Sequence, residues 1–152
     1  MILEKLPMPP TSNHRLMPAH GRLIKSPEIR AYDQKVELWG LRNRHKLLDY
    51  EKHIGAWLKQ GFLLEIELDF CFPKEKLVTK QNDPKRLDVD SRIKSSLDSI
   101  SKLLRIDDKW FIKMTAKKII LPSLDAHVTT KLSPIRWNKV EPIFARQDGP
   151  LL

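Results

Sequence analysis

Between residues 62 and 72 the chain alternates strictly. Leu64, Ile66, Leu68, Phe70 and Phe72 fall on one side, and Glu65, Glu67 and Asp69 on the other. A period of two predicts a β-strand with one buried face, and Pro73 ends it by removing a backbone donor. Upstream the period is near 3.6. Ile29, Tyr32, Val36, Trp39, Leu47, Leu48, Ile54, Trp57 and Leu58 recur at helical spacing, which predicts helix over residues 28–60. Ser26 is placed to cap it, Pro27 suits its first turn, and Gly61 suits its end. Gly40 and the charged stretch at residues 42–46 mark where it can divide in two. A second helical pattern, Ile93, Leu97, Ile100 and Leu104, predicts helix over residues 90–104. Trp110, Ile112, Met114 and Ala116 then alternate against Lys113, Thr115 and Lys117, predicting a strand over residues 109–121.

The remaining segments are less patterned. Pro7, Pro9, Pro10 and Pro18 exclude a helix near the start, leaving room for a short strand at residues 2–6 and a polar turn at residues 11–15. Residues 73–87 read as a loop. Residues 125–152 show no strong period, with one short strand expected at residues 127–131 and a tail after it. No internal repeat is present.

The length, 152 residues, predicts one domain. The composition, 41% hydrophobic and 31% charged, is that of a globular chain. A single cysteine, Cys71, excludes a disulfide scaffold and fits a reducing compartment. No run approaches the roughly 20 apolar residues of a membrane span, and the opening residues lack a secretory apolar core. The expected location is therefore the cytoplasm, without a membrane partner. The net charge of +9 changes the picture most, because such a field attracts polyanions, nucleic acid above all.

Several chemistries are excluded. There is no GxxxxGK[ST] loop, hence no P-loop nucleotide site. No Cys/His cluster has zinc spacing, and His14, His20, His45, His53 and His127 are scattered. What remains is Asp88-Val89-Asp90, Lys94 one helical turn on, and Asp107-Asp108 after the helix. Locally, Asp90 reads equally well as a helix N-cap. An EF-hand fails, because its sixth and twelfth positions would be Ile93 and Ser99. Asp88 and Asp90 lie two apart, so in an extended approach to the helix they leave the same side. A 15-residue helix is about 22 Å long, so Asp107-Asp108 reaches the first pair only if the chain doubles back or another strand crosses. Were the carboxylates to meet, a hard cation such as Mg²⁺ or Mn²⁺ would relieve their repulsion and serve phosphodiester hydrolysis. Lys94 would then offset phosphate charge. Lys74, Lys76, Lys80, Lys85 and Arg86 on the adjacent loop would hold a nucleic-acid backbone.

The run Asp88-Val89-Asp90-Ser91-Arg92-Ile93-Lys94, then Leu97-Asp98, then Ile106-Asp107-Asp108, resembles the RusA family of Holliday-junction resolvases of phages and prophages. It is similar to that family's D-x-D-N-x-x-K segment, helix and D-D turn. The opening Leu6-Pro7-Met8-Pro9-Pro10-Thr11-Ser12-Asn13-His14-Arg15 is similar to the family's proline-rich start with a following Ser-Asn. The ordered likeness spans about residues 3–120. This chain has Leu87 where a basic residue often precedes the first aspartate, and Ser91 in place of the usual asparagine.

The resemblance implies a small mixed α/β domain over residues 1–124, a mixed sheet on two or three helices, and a C-terminal extension over residues 125–152. It implies a crossover junction endodeoxyribonuclease that cuts four-way DNA junctions in pairs of nicks. Asp88, Asp90 and Asp108 would bind Mg²⁺ (Mn²⁺ as substitute), and Lys94 would assist. Asn13 and Arg15 would join the basic loop on branched DNA. The protein would be a homodimer without a nucleotide cofactor, phage-encoded or in a bacterial host. Two alternatives stand beside it: a basic protein that binds branched DNA without cutting, and a metal-dependent nucleotide transferase using the DxD.

Overall fold

The structure, a computed structural model, describes residues 1–11, 16–19, 22–85, 87–122 and 125–136. The chain runs β1 (Ile2–Pro7), a β2–β3 hairpin (Leu16–Ala19 and Arg22–Lys25), α1 (Pro27–Arg42), α2 (Arg44–Lys59), β4 (Phe62–Pro73), α3 (Lys74–Leu77), α4 (Asp90–Leu104), a 3₁₀ turn (Asp108–Trp110), β5 (Phe111–Leu121) and β6 (His127–Arg136). The main sheet has the order β1-β6-β4-β5. β6 runs antiparallel to β1 and β4, and β4 and β5 are parallel. This is the mixed α/β fold expected.

The two strongest patterns become the two central elements. Leu64, Ile66, Leu68, Phe70 and Phe72 of β4 are buried and meet Ile54, Ile100 and Leu104 of the helices in one core. α4 has the bounds that its apolar period predicts. Ser26 caps α1 by accepting from the Ile29 N–H, and Gly61 follows α2 at φ +80°, where a side chain would be strained. The helix expected over residues 28–60 divides at Asn43, inside the charged stretch at residues 42–46; Asn43 ends α1 and precedes α2. Gly40 stays helical. A Cβ there would lie 2.7 Å from Leu103 Cδ2, so the glycine admits α4 against α1.

Two segments depart from expectation. The loop after Pro73 contains α3, and an isolated bridge pairs Val78 with Pro84. The strand expected at residues 127–131 is longer, and it is an inner strand between β1 and β4. The sheet therefore takes in residues beyond the boundary expected at 124. The polar turn falls largely at residues 12–15, outside the described residues. Among the described residues no helix is long and apolar enough to cross a membrane.

The parallel β4–β5 pair fixes the direction of α4. Leu64 lies opposite Phe111 and Pro73 opposite Leu121, so the chain leaves one end of the sheet after β4 and re-enters at the other. α4 makes that return.

Candidate active site

Val89 is the pivot of the DxD segment. Its side chain is buried in the core cluster, while Asp88 and Asp90 on either side are exposed. One apolar residue facing inward thus turns both carboxylates outward. Asp90 is not the N-cap; that position is Val89, which has no side-chain cap bond. The role passes to Asp88, whose Oδ1 accepts from the Ser91 N–H at 3.3 Å. Both acids sit at the N-terminal, positive end of the α4 dipole.

Arg92 anchors this end. Its guanidinium donates to the Pro9 carbonyl, 83 residues away in sequence, and lies 5.8 Å from the Phe72 ring centroid. Burial lowers the Arg92 pKa, and the charge of Asp88 opposes that shift. The contact also places the start of α4 beside the end of β4. Sequence reasoning gave Arg92 no role. Its position in the motif was visible, but nothing in the sequence shows that the proline-rich opening folds back onto it.

Lys94 is exposed one turn further along α4. It borders a cleft of roughly 480 Å³ between α1 and α4, with Lys25, Tyr32, Asp33, Asp98 and Lys102. Lys25 is paired with Asp33 at 2.6 Å.

Lys74, Lys76, Lys80 and Lys85 are all exposed in the segment that follows β4, and so belong to the Asp88–Asp90 end. Lys85 Nζ donates to the Glu75 carbonyl at 2.6 Å, and the Thr79 N–H donates to Asp83 at 2.8 Å, so this basic segment is internally braced. Arg86, Asn13 and Arg15 lie outside the described residues.

The open face of the sheet does not share this character. Its lysines are matched by β4 carboxylates: Lys113 to Glu65 at 2.6 Å, Lys131 to Glu67 at 3.1 Å, and Lys117 to Asp69 at 3.4 Å. Glu65 raises the Lys113 pKa by bonding to its ammonium.

Asp107 and Asp108 sit at the far end of α4, in the turn before β5. The structure separates their roles. Asp107 caps the 3₁₀ turn: its Oδ1 accepts from the Lys109 N–H at 3.0 Å, and its Oδ2 pairs with Lys109 Nζ at 3.0 Å. The Lys109 backbone donor, first among several causes, pulls the Asp107 pKa down. Asp108 is exposed. Within one chain it lies a helix length, about 22 Å, from Asp88 and Asp90. Among the described residues no three His, Cys, Asp or Glu side chains gather in a metal-binding group. The chain does not double back, and no strand carries Asp108 across.

What one chain assembles is a pair of exposed carboxylates with a lysine one turn on, beside a basic segment. Mg²⁺ is suited by one or two carboxylates together with substrate phosphate, so this donor set fits such an ion without a third protein ligand from the same chain.

No curated protein sequence matches the chain significantly. The family model of endodeoxyribonuclease RusA matches residues 7–129, which hold the DxD segment, α4 and the Asp107-Asp108 turn. The chain belongs to the RusA endodeoxyribonuclease family, whose members resolve Holliday junctions.

Proposed function

We propose that this chain is a divalent-metal-dependent nuclease, that Asp88 and Asp90 hold the ion, and that Asp108 reaches it from the partner subunit of a homodimer. The observation that carries the reading is the outward display of Asp88 and Asp90 around buried Val89, next to four exposed lysines of the segment after β4. When bound there, Mg²⁺ supplies Lewis-acid activation of water and of the phosphodiester. The remaining work falls to this chain. Lys94 sits one turn from Asp90 and offsets charge that builds on the phosphate. Lys74, Lys76, Lys80 and Lys85 hold the DNA backbone and fix register. Arg92 keeps the acidic segment on the core.

Two features support the dimer. Asp108 is stranded at the opposite end of α4 from its expected companions. Among the described residues β5 is an edge strand, and on its core-side face Met114 and Ile120 are 47% and 53% exposed. A two-fold axis across this strand joins like patches, as an isologous interface requires. It also reverses the partner, bringing the partner's start of β5 to this subunit's start of α4. One contact thereby covers the apolar strip and places a third carboxylate at each DxD. Two such sites on one dimer supply paired nicks.

The test is cleavage of a synthetic four-way junction in Mg²⁺ by the unaltered protein and by Asp90→Asn. Expected is paired cleavage leaving 5′-phosphate and 3′-hydroxyl ends, lost in the variant while junction binding is kept or tightened, since a negative charge facing phosphate is removed. Equal cleavage by both proteins sinks the proposal. Binding with no cleavage by the unaltered protein at any metal concentration favours the non-cutting alternative.

A further inference from the structure

We infer that the aromatic hollow beside Asp108 receives one unstacked nucleobase of the bound junction. The hollow, of roughly 820 Å³, is lined chiefly by Leu58, Phe62, Leu63, Trp110, Phe111 and Ile112, with Lys109 at its edge and no carboxylate in its wall. Three aromatic side chains thus converge where the sheet begins, two and three residues after Asp108 in the case of Trp110 and Phe111. Each side of the hollow carries a cation already set over a ring. Lys109 Nζ is 5.2 Å from the Trp110 centroid and is held at 3.0 Å by Asp107. The Arg136 guanidinium is 6.0 Å from the Phe62 centroid.

Flat apolar walls flanked by cations match a nucleotide: the base stacks and the phosphates on either side meet positive charge. A purely apolar protein segment would have no use for that charge. Four-way junctions offer unstacked bases at the exchange point, where removing a base from the stack costs least. The site deepens the proposed junction-cutting function and rests on it: a base held here would place its strand next to the Asp108 carboxylate.

The experiment uses a four-way junction with 5-iodouracil at the exchange point, bound by the full chain in EDTA, irradiated, and mapped by mass spectrometry. Expected is an adduct on Trp110 or Phe62. Trp110→Ala should weaken junction binding by about tenfold and abolish the Trp110 adduct, whereas Trp110→Phe, which keeps a stacking face, should stay within about threefold. The crosslink in the unaltered protein needs no variant, so a poorly folding Trp110→Ala leaves the test intact. A junction bound without any adduct in the hollow overturns this inference alone. A change of oligomeric state in Trp110→Phe without an adduct does so as well, and makes the hollow a subunit contact. Failure of the unaltered protein to bind the junction overturns the proposed function, and this inference with it.

Discussion

Arg92 of α4 donates to the carbonyl of Pro9, joining the proline-rich opening to the helix that presents Asp88 and Asp90. The guanidinium is half-buried against Phe72 and faces the charge of Asp88. Removing it leaves a carbonyl without its donor and frees the acidic segment. Arg92→Ala should destabilise the fold by roughly 1.5–3 kcal/mol, the range for a hydrogen bond to a charged group, read from denaturant midpoints. Arg92→Lys keeps the charge but not the planar fork, and should recover less than half of that loss. In junction assays both variants should lose cleavage more than binding.

Adjacent aspartates make a sharper contrast. Asp107 is committed to the Lys109 N–H, whereas Asp108 is the carboxylate proposed to meet the partner's ion. Asp107→Asn keeps a capping side chain and should cut junctions at near-normal rate; Asp108→Asn should lose cleavage at least a hundredfold while binding. The Asp107 pKa is depressed in the folded state from an ordinary value of 3.8. Its contribution to stability is therefore fully present above that value and is lost as pH falls through the lower folded one. Carboxyl titration by NMR should find Asp107 below 3.8.

Two helical glycines should respond in opposite ways. Gly55 has no neighbour within 4 Å of a built Cβ, so Gly55→Ala should stabilise by about 0.5–1 kcal/mol through helix propensity alone. Gly40→Ala gains the same propensity but meets Leu103 Cδ2 at 2.7 Å, and the terminal methyl must swing aside. Overpacking of this kind offsets the gain, so thermal melts should show Gly40→Ala no more stable than the parent.

The uncovered strip on β5 gives a prediction about assembly. Met114→Lys with Ile120→Lys places charge where the proposed interface is apolar. Neither side chain is buried in the single chain, so the fold should survive. Sedimentation should show a dimer for the parent and a monomer for the double variant, with junction cleavage lost alongside. A folded double variant that remains dimeric would place the interface elsewhere.

How far the sequence carried depended on what each residue faces. β4 and α4 were legible to within a residue because their apolar positions are the core. β6 was not. Its inward side reads Val128, Thr130 and Leu132, all buried, and the threonine in the middle blurs the alternation that marks an inner strand. The reverse happened in β5: Ile112 and Met114 alternate as a buried face does, yet both are exposed. The β2–β3 hairpin escaped because four-residue strands containing Pro18 carry almost no pattern. At the site, the two-residue spacing of Asp88 and Asp90 was legible, but the burial of Val89 that turns both outward was not. Nor was the separation of Asp108, because it depends on β5 pairing parallel to β4, which no local pattern encodes.

That separation permits a decisive mixing experiment. If each site draws Asp88 and Asp90 from one subunit and Asp108 from the other, Asp90→Asn and Asp108→Asn are each inactive alone as homodimers. In a mixed dimer the two defects fall into the same site. The other site then combines an intact Asp88–Asp90 pair with an intact Asp108. Refolding the two variants together at equal amounts should therefore restore nicking. Random pairing makes half of the dimers mixed, each with one working site, so about one quarter of the parent's site density is expected. The products should be single nicks rather than paired cuts, visible as nicked junction on a native gel and one shortened strand on a denaturing one. A site complete within each subunit predicts no rescue at any ratio, and that result would exclude the shared arrangement.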